Sequence, residues 1–245
     1  MSKILKIKSK SDFVKNFLQP ISKIADASVL DLDGDKLNCL TCTSDNSVIL
    51  SIQYTIEGDF TDGEILNCPD IKKLIKAIDT IKDDEIEFCI ENNNLSYKGK
   101  NIRFKYHLQE DGIIKKPKLN LKKLEETDFH ASFILDYEKV KEIIKGSVFS
   151  SDSNKIYIMG DHEGVYAELT DKTRNNIDTI TLKISDELKG EDIKSLPLSF
   201  EIFRIIDISN SKNILVKINN KLGVVIFQME SNYNKVTYIM SSLTK

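Results

Sequence analysis

Cys68-Pro69-Asp70-Ile71-Lys72-Lys73-Leu74-Ile75-Lys76-Ala77-Ile78-Asp79 has a counterpart late in the chain, Leu196-Pro197-Leu198-Ser199-Phe200-Glu201-Ile202-Phe203-Arg204-Ile205-Ile206-Asp207. Both stretches read as amphipathic helices, with a proline at the entrance where its fixed φ suits a helix start. Each runs on into a strand hairpin. Ile86-Glu87-Phe88-Cys89-Ile90 alternates, turns at Asn92-Asn93-Asn94 and returns through Leu95-Ser96-Tyr97. The later copy runs Ile214-Leu215-Val216-Lys217-Ile218, turns at Asn219-Asn220 and returns from Leu222 to Phe227. Alternation broken by asparagine-rich turns is the hairpin pattern.

The likeness extends outward from these helices. Ser11 to Leu18 begins a short helix with Val14, Phe17, Leu18 and Ile21 at helical spacing. Pro20 is expected to end or kink it near Gln19, because proline lacks an N–H and restricts the residue before it. Asp136 to Lys145 is the counterpart, with Gly146 as the expected stop. Each half closes on a strand, at residues 102–108 and 235–240. The spacing therefore predicts an α+β chain of two similar domains, each with two helices packed on antiparallel sheet. The domains are placed at 1–112 and 129–245, with an extended connector at 113–128. Leu119, Leu121 and Leu124 make that connector too apolar for a free linker, so it is expected to lie against the body.

Composition narrows the class. The chain has 245 residues, 40% of them hydrophobic and 30% charged, with a formal net charge of −3. No apolar run approaches the roughly 18 residues of a membrane span, and the N-terminus lacks a signal-peptide stretch. Cys39, Cys42, Cys68 and Cys89 all fall in the first half. That distribution argues against a disulfide scaffold and for reduced thiols in a cytoplasmic protein. A binder of nucleic acid with this net charge must gather its cations on one face. The helices offer such faces: Lys10 and Lys15 on the first, Lys72, Lys73 and Lys76 on the second, Lys139, Lys141 and Lys145 on the third. Arg204 sits on the fourth, with Lys212 just beyond it. Acids gather elsewhere, as at Asp31, Asp33, Asp35, Asp83, Asp84, Glu125 and Glu126. A single lysine-rich face is ordinarily just a solvated one; recurrence on four helices favours phosphate contact. No aromatic residues interleave with these cations, which favours duplex backbone over single strands.

Three clusters have the residue types of a chemical site. Cys39-Leu40-Thr41-Cys42 lacks a second close pair for zinc, and reads as strand or loop. Asp31-Leu32-Asp33-Gly34-Asp35 departs from a calcium loop, because Cys42 stands where the twelfth-position glutamate belongs. Asp161-His162-Glu163-Gly164 reads as a tight turn whose neighbours point apart. No phosphate-binding glycine loop and no nucleophile elbow occurs. The expectation is a protein without catalytic residues, metal or cofactor.

The doubled plan, with Phe13-Val14-Lys15-Asn16-Phe17-Leu18, Asn154-Lys155-Ile156-Tyr157-Ile158-Met159-Gly160 and the ending Val236-Thr237-Tyr238-Ile239-Met240, resembles the DNA sliding clamps. The similarity is to the T-even phage processivity factors and the proliferating cell nuclear antigen group, and it covers nearly the whole chain. The resemblance implies a head-to-tail homotrimeric ring, with helices lining a hole for double-stranded DNA, and a host-cell setting if the chain is viral. It also implies a clamp loader and a polymerase whose C-terminal peptide docks on the ring. The connector leucines Leu119, Leu121 and Leu124, the terminal Tyr238, Ile239 and Met240, and the loop beginning at Cys42 would form that partner site. Edge strands at 102–108 and 165–170 would join the subunits. The competing expectation is a two-domain β-rich structural or scaffold protein without DNA affinity.

Overall fold

Two units emerge in the computed structural model: Met1–Lys118 with Glu230–Val236, and Leu119–Met229 with Thr237–Lys245. The residues described are 2–58, 60, 61, 63–150, 154–170, 172, 178–209 and 211–243. Both units are α+β and antiparallel.

The first unit opens with β1 (Lys3–Ile7), α1 (Lys10–Phe13), a π-helical turn (Val14–Leu18) and α2 (Gln19–Ile24). Next come β2 (Ser28–Asp33), β3 (Lys36–Cys42), β4 (Val48–Thr55) and β5 (Glu64–Cys68), lying side by side in the order β4-β3-β2-β5. Helix α3 (Ile71–Asp79) leads to β6 (Ile86–Glu91), β7 (Asn94–Lys98) and β8 (Arg103–His107), which join β1 as β1-β6-β7-β8. The alternation read from sequence decides which side chains go inward. In β3, Leu37, Cys39 and Thr41 are buried while Asn38, Leu40 and Cys42 lie on the other face. Helix α3 buries Ile71, Leu74 and Ile78, and the Asp70 side chain caps it by accepting from the Lys73 amide at 2.8 Å. Phe13 stacks on Phe17 with ring centroids 5.3 Å apart, and Tyr54 meets Phe13 edge-on at 5.1 Å. At the β6–β7 turn Asn92 and Asn93 have φ of 47° and 55°, the left-handed pair that a two-residue hairpin requires.

Pro20 does not end the first helix. The chain inserts a wider turn, in which the Gln19 amide bonds the Val14 carbonyl five residues back, and helix continues to Ile24. Proline can give no N–H to the carbonyl of Asn16, one turn earlier. That carbonyl instead accepts from Asn234 Nδ2 at 2.7 Å. Asn234 is buried, and its own Oδ1 lies 2.5 Å from the Ser231 hydroxyl. Asn234→Ala should therefore lower stability by about 1–3 kcal/mol, the cost of leaving a buried acceptor unmet. In a Pro20→Ala background, which restores an N–H, the same change should cost less. Urea titration of the two single variants and the double variant checks this; strict additivity would break the link.

The second unit carries α4 (Leu121–Glu125), β9 (Ala131–Asp136), α5 (Tyr137–Gly146), a 3-10 turn (Ser147–Ser150), β10 (Lys155–Asp161) and β11 (Gly164–Leu169). It continues through β12 (Ile180–Ser185), β13 (Lys189–Gly190), β14 (Ile193–Ser199), α6 (Glu201–Ile206), β15 (Asn213–Asn219) and β16 (Val224–Glu230). Its strands lie in the orders β12-β11-β10-β14 and β13-β9-β15-β16. The last strand, β17 (Asn234–Ser241), is divided between the units at Val236 and Thr237. Phe203 packs edge-on against Phe227 at 6.2 Å, among Phe133, Leu135, Ile158 and Leu198.

Two sequence expectations change here, at Pro197 and at residues 165–170. Pro197 is not a helix entrance; it lies within β14, and the helix begins only at Glu201. Leu196 and Leu198 are both buried, so the period of two prevails. Proline is tolerated because β14 is at the edge of its sheet. The expected stop at Gly146 holds, since it is the last residue of α5, although without a left-handed cap the chain runs on into the 3-10 turn. Residues 165–170 are not an edge. Strand β11 is paired on both sides, with β10 and β12, so the open edge beyond it belongs to β12.

Candidate nucleic-acid interface

Nine of the ten basic residues named from sequence separate into two electrostatic groups, and Lys10 stands apart. Lys15, Lys73, Lys76, Lys145 and Lys212 are exposed and, among the described residues, hold no ion pair. Lys72, Lys139, Lys141 and Arg204 are each bound to a carboxylate: Asp26 at 2.7 Å, Glu142 at 2.8 Å, Glu138 at 2.9 Å and Glu201 at 3.0 Å. Lys141 also lies over the Tyr137 ring at 4.3 Å, and Arg204 over Phe200 at 5.0 Å. Hydrogen bonding to Asp26 holds the Lys72 pKa above its ordinary value, and Glu138 does the same for Lys141. Lys10 is half-buried and gives its ammonium to the Ile81 carbonyl at 2.5 Å.

The geometry follows from the helices. In the first unit α3 buries its apolar stripe, which turns Lys73 and Lys76 outward. In the second, Val140 and Ile143 of α5 are buried and Lys145 points out in the last turn, where a cation is favoured by the helix dipole. Sequence reasoning missed Lys23, which is exposed on α2, because Pro20 was taken as the end of that helix. It also passed over Glu138, Glu142 and Glu201. Their i,i+3 spacing to Lys141, Lys139 and Arg204 was the signal available for that pairing.

Of the residues assigned to partner binding, Leu119, Leu121 and Leu124 are half-exposed. Tyr238, Ile239 and Met240 are buried, and alternation along β17 puts Ile239 on the opposite face from the other two. Cys42 belongs to the first unit, at the end of β3, where its thiol donates to Asn46 Oδ1 at 3.1 Å.

The look-alike clusters resolve locally. Cys39 and Cys42 fall on opposite faces of β3. Burial pushes the Cys39 thiol up to about 12, and raises Cys68 too. The Asp31–Asp35 stretch is the β2–β3 hairpin, with Gly34 at φ 58°. His162 and Glu163 form the two-residue turn between β10 and β11, where the Glu163 amide donates to Asp161 Oδ1 at 2.8 Å. Among the described residues no group of three or more His, Cys, Asp or Glu is placed to hold a metal, and no helix is long and apolar enough to cross a membrane.

A doubled α+β plan of antiparallel sheets, with a pair of principal helices in each unit, is the sliding-clamp fold. The solved structures similar to it make the class concrete. A chain from "C-terminal region of FEN-1 bound to A. fulgidus PCNA" superposes with a TM-score of 0.81 at 15% identity, over 100% of this chain and 99% of that one. Proliferating cellular nuclear antigen from Entamoeba histolytica gives 0.80 at 12% identity, over 99% of each chain. A putative DNA polymerase III beta subunit from Eubacterium rectale gives 0.77 at 13% identity, over 100% of this chain and 66% of that one. No protein-family model and no curated protein matches the sequence.

Proposed function

We propose that this chain is a DNA polymerase processivity factor, a sliding clamp that encircles duplex DNA and tethers the replicative polymerase and other replication proteins. The observation that carries the reading is a clamp fold over the whole chain, combined with exposed, unpaired lysines on helices of both units. The role is topological and needs no chemistry of its own. A ring on DNA cannot leave sideways, so a tethered polymerase stays at high effective concentration near the primer end. The lysines would meet phosphates without reading bases.

Three chains joined head to tail would close the ring, with the open edge of β8 in one subunit pairing with that of β12 in the next. A clamp loader would open it, and a polymerase C-terminal peptide would dock on its surface. Support for a docked tail comes from the similar A. fulgidus PCNA, to which the C-terminal region of FEN-1 is bound. The cytoplasm is the compartment this role expects.

The test is retention on nicked circular duplex DNA after loading. The ring should stay on the circle and run off once the circle is cut. Equal loss from circular and linear DNA would refute encirclement and favour a scaffold role.

A further inference from the structure

Between residues 92 and 109 the chain holds four Lys or Arg and no acid. This stretch forms the β7–β8 hairpin of the first unit, where Lys98 stands opposite Arg103 and Ser96 opposite Lys105. Cross-strand partners share a face of the sheet, so Lys98, Arg103 and Lys105 point the same way. Arg103 and Lys105 lie about 7 Å apart along the strand, and Lys100 adds a fourth cation at the turn. All four are exposed and hold no ion pair among the described residues. Of the acids on that face of β6, Glu87 is bound to Lys6 at 2.6 Å, and Glu91 lies opposite Asn94, at the other end of β7 from Lys98.

The cationic face is turned away from α3. Tyr106, on the other face of β8, is buried, and its hydroxyl accepts from the Asp70 amide at the start of α3 at 2.9 Å. Tyr97 and Phe104 share that inner face, with ring centroids 5.9 Å apart, and both pack on Phe88. Strands β7 and β8 therefore turn no aromatic or large apolar side chain outward. Short peptides are held by a few apolar anchors, and single strands by stacked aromatics. These two strands offer neither on their outer face. What they offer is charge alone, which is how a duplex backbone is bound.

We infer that the outward face of the β7–β8 hairpin is a second, sequence-independent contact for duplex DNA, distinct from the helix surfaces. The inference goes beyond the clamp reading, because it needs no ring. Duplex DNA is stiff over about 150 base pairs, so a segment lying along Lys73 and Lys76 of α3 does not fold round to the far side of the same unit. The hairpin meets a different stretch of duplex. Side chains stand roughly perpendicular to their sheet, so pairing of the β8 edge with a neighbour would leave these cations accessible.

The experiment uses the full-length protein, without a loader, and a short fluorescent linear duplex whose binding is followed by anisotropy across a salt series. The variant Lys98→Gln, Lys100→Gln, Arg103→Gln, Lys105→Gln should lose about tenfold or more in affinity at low salt, and its logarithmic salt slope should flatten by about 3–4. A charge-keeping variant, Lys98→Arg, Lys100→Arg, Lys105→Arg, should behave as wild type. An unchanged slope in the glutamine variant, or an equal loss in the arginine variant, would overturn the inference. So would tighter binding of wild type to a glutamate-run peptide, which would assign the face to an acidic protein. Tighter binding to phosphatidylserine–phosphatidylcholine vesicles would overturn it in favour of a membrane. Retention on nicked circles is scored separately, and the glutamine variant should keep it. Retention lost in that variant alone would overturn the inference by merging the hairpin with the encircling contact. A flattened slope with no retention even of wild type sinks the clamp reading and leaves this contact standing.

Discussion

Reversing Lys15, Lys73, Lys76 and Lys145 to glutamate together should abolish processive synthesis while leaving assembly intact. These four are exposed and hold no ion pair among the described residues, so no internal partner is left behind when they change. If each meets one phosphate, its loss flattens the logarithmic salt dependence of DNA binding by about 0.9, and four together by about 3–4. The useful contrast is the set Lys72, Lys139, Lys141 and Arg204, whose charges are already shared with Asp26, Glu142, Glu138 and Glu201. Neutralising those to glutamine should move the slope much less per residue. Salt titrations of loaded clamp, with light scattering to confirm the assembly, measure both sets. An unchanged slope in the quadruple reversal would remove the helices from the DNA contact.

If the proposed ring forms, Lys105→Pro should take it apart without unfolding the first unit. The reason lies in the ladder of β7 and β8. Leu108 donates to the Asn93 carbonyl and Gly99 to the Ile102 carbonyl. Bonded positions therefore recur at even-numbered residues of β8, and Arg103, Lys105 and His107 turn their N–H groups to the open edge. Proline at Lys105 deletes an edge donor and spares the internal ladder, and proline is tolerated on edge strands. If that edge pairs with β12 of a neighbour, a buried acceptor there goes unmet at a cost of about 1–3 kcal/mol. A closed trimer would suffer this at each of its three interfaces. Solution mass should fall from three chains to one, retention on nicked circles should vanish, and the far-ultraviolet dichroism should keep its shape. A trimer of undiminished stability would place the joint elsewhere.

The hairpins and the inward faces were legible in sequence because both are local. Asn92-Asn93 demands left-handed backbone, and the alternation in Ile86–Glu91 assigns faces whatever lies beyond. The apolar stripe of Ile71–Asp79 likewise placed Lys73 and Lys76 outward before any fold was known. Charge pairing within α5 was equally local, and only its i,i+3 spacing had to be read.

The three solved structures compared above share only 12–15% identity with the chain, so what they share with it is pattern, not residues. By itself, the sequence determined the repeat, the strand faces and the helix surfaces, since periodicity and turn chemistry act over a few residues. Tertiary structure decided the rest. It joined Lys72 to Asp26 across 46 positions, spent Lys10 on the Ile81 carbonyl, and let Asn234 serve Asn16 so that a helix could run through Pro20. It also made β12 an edge and β11 an interior strand. Those outcomes depend on which segments become neighbours, and a period of two is the same for a strand with one partner as for a strand with two.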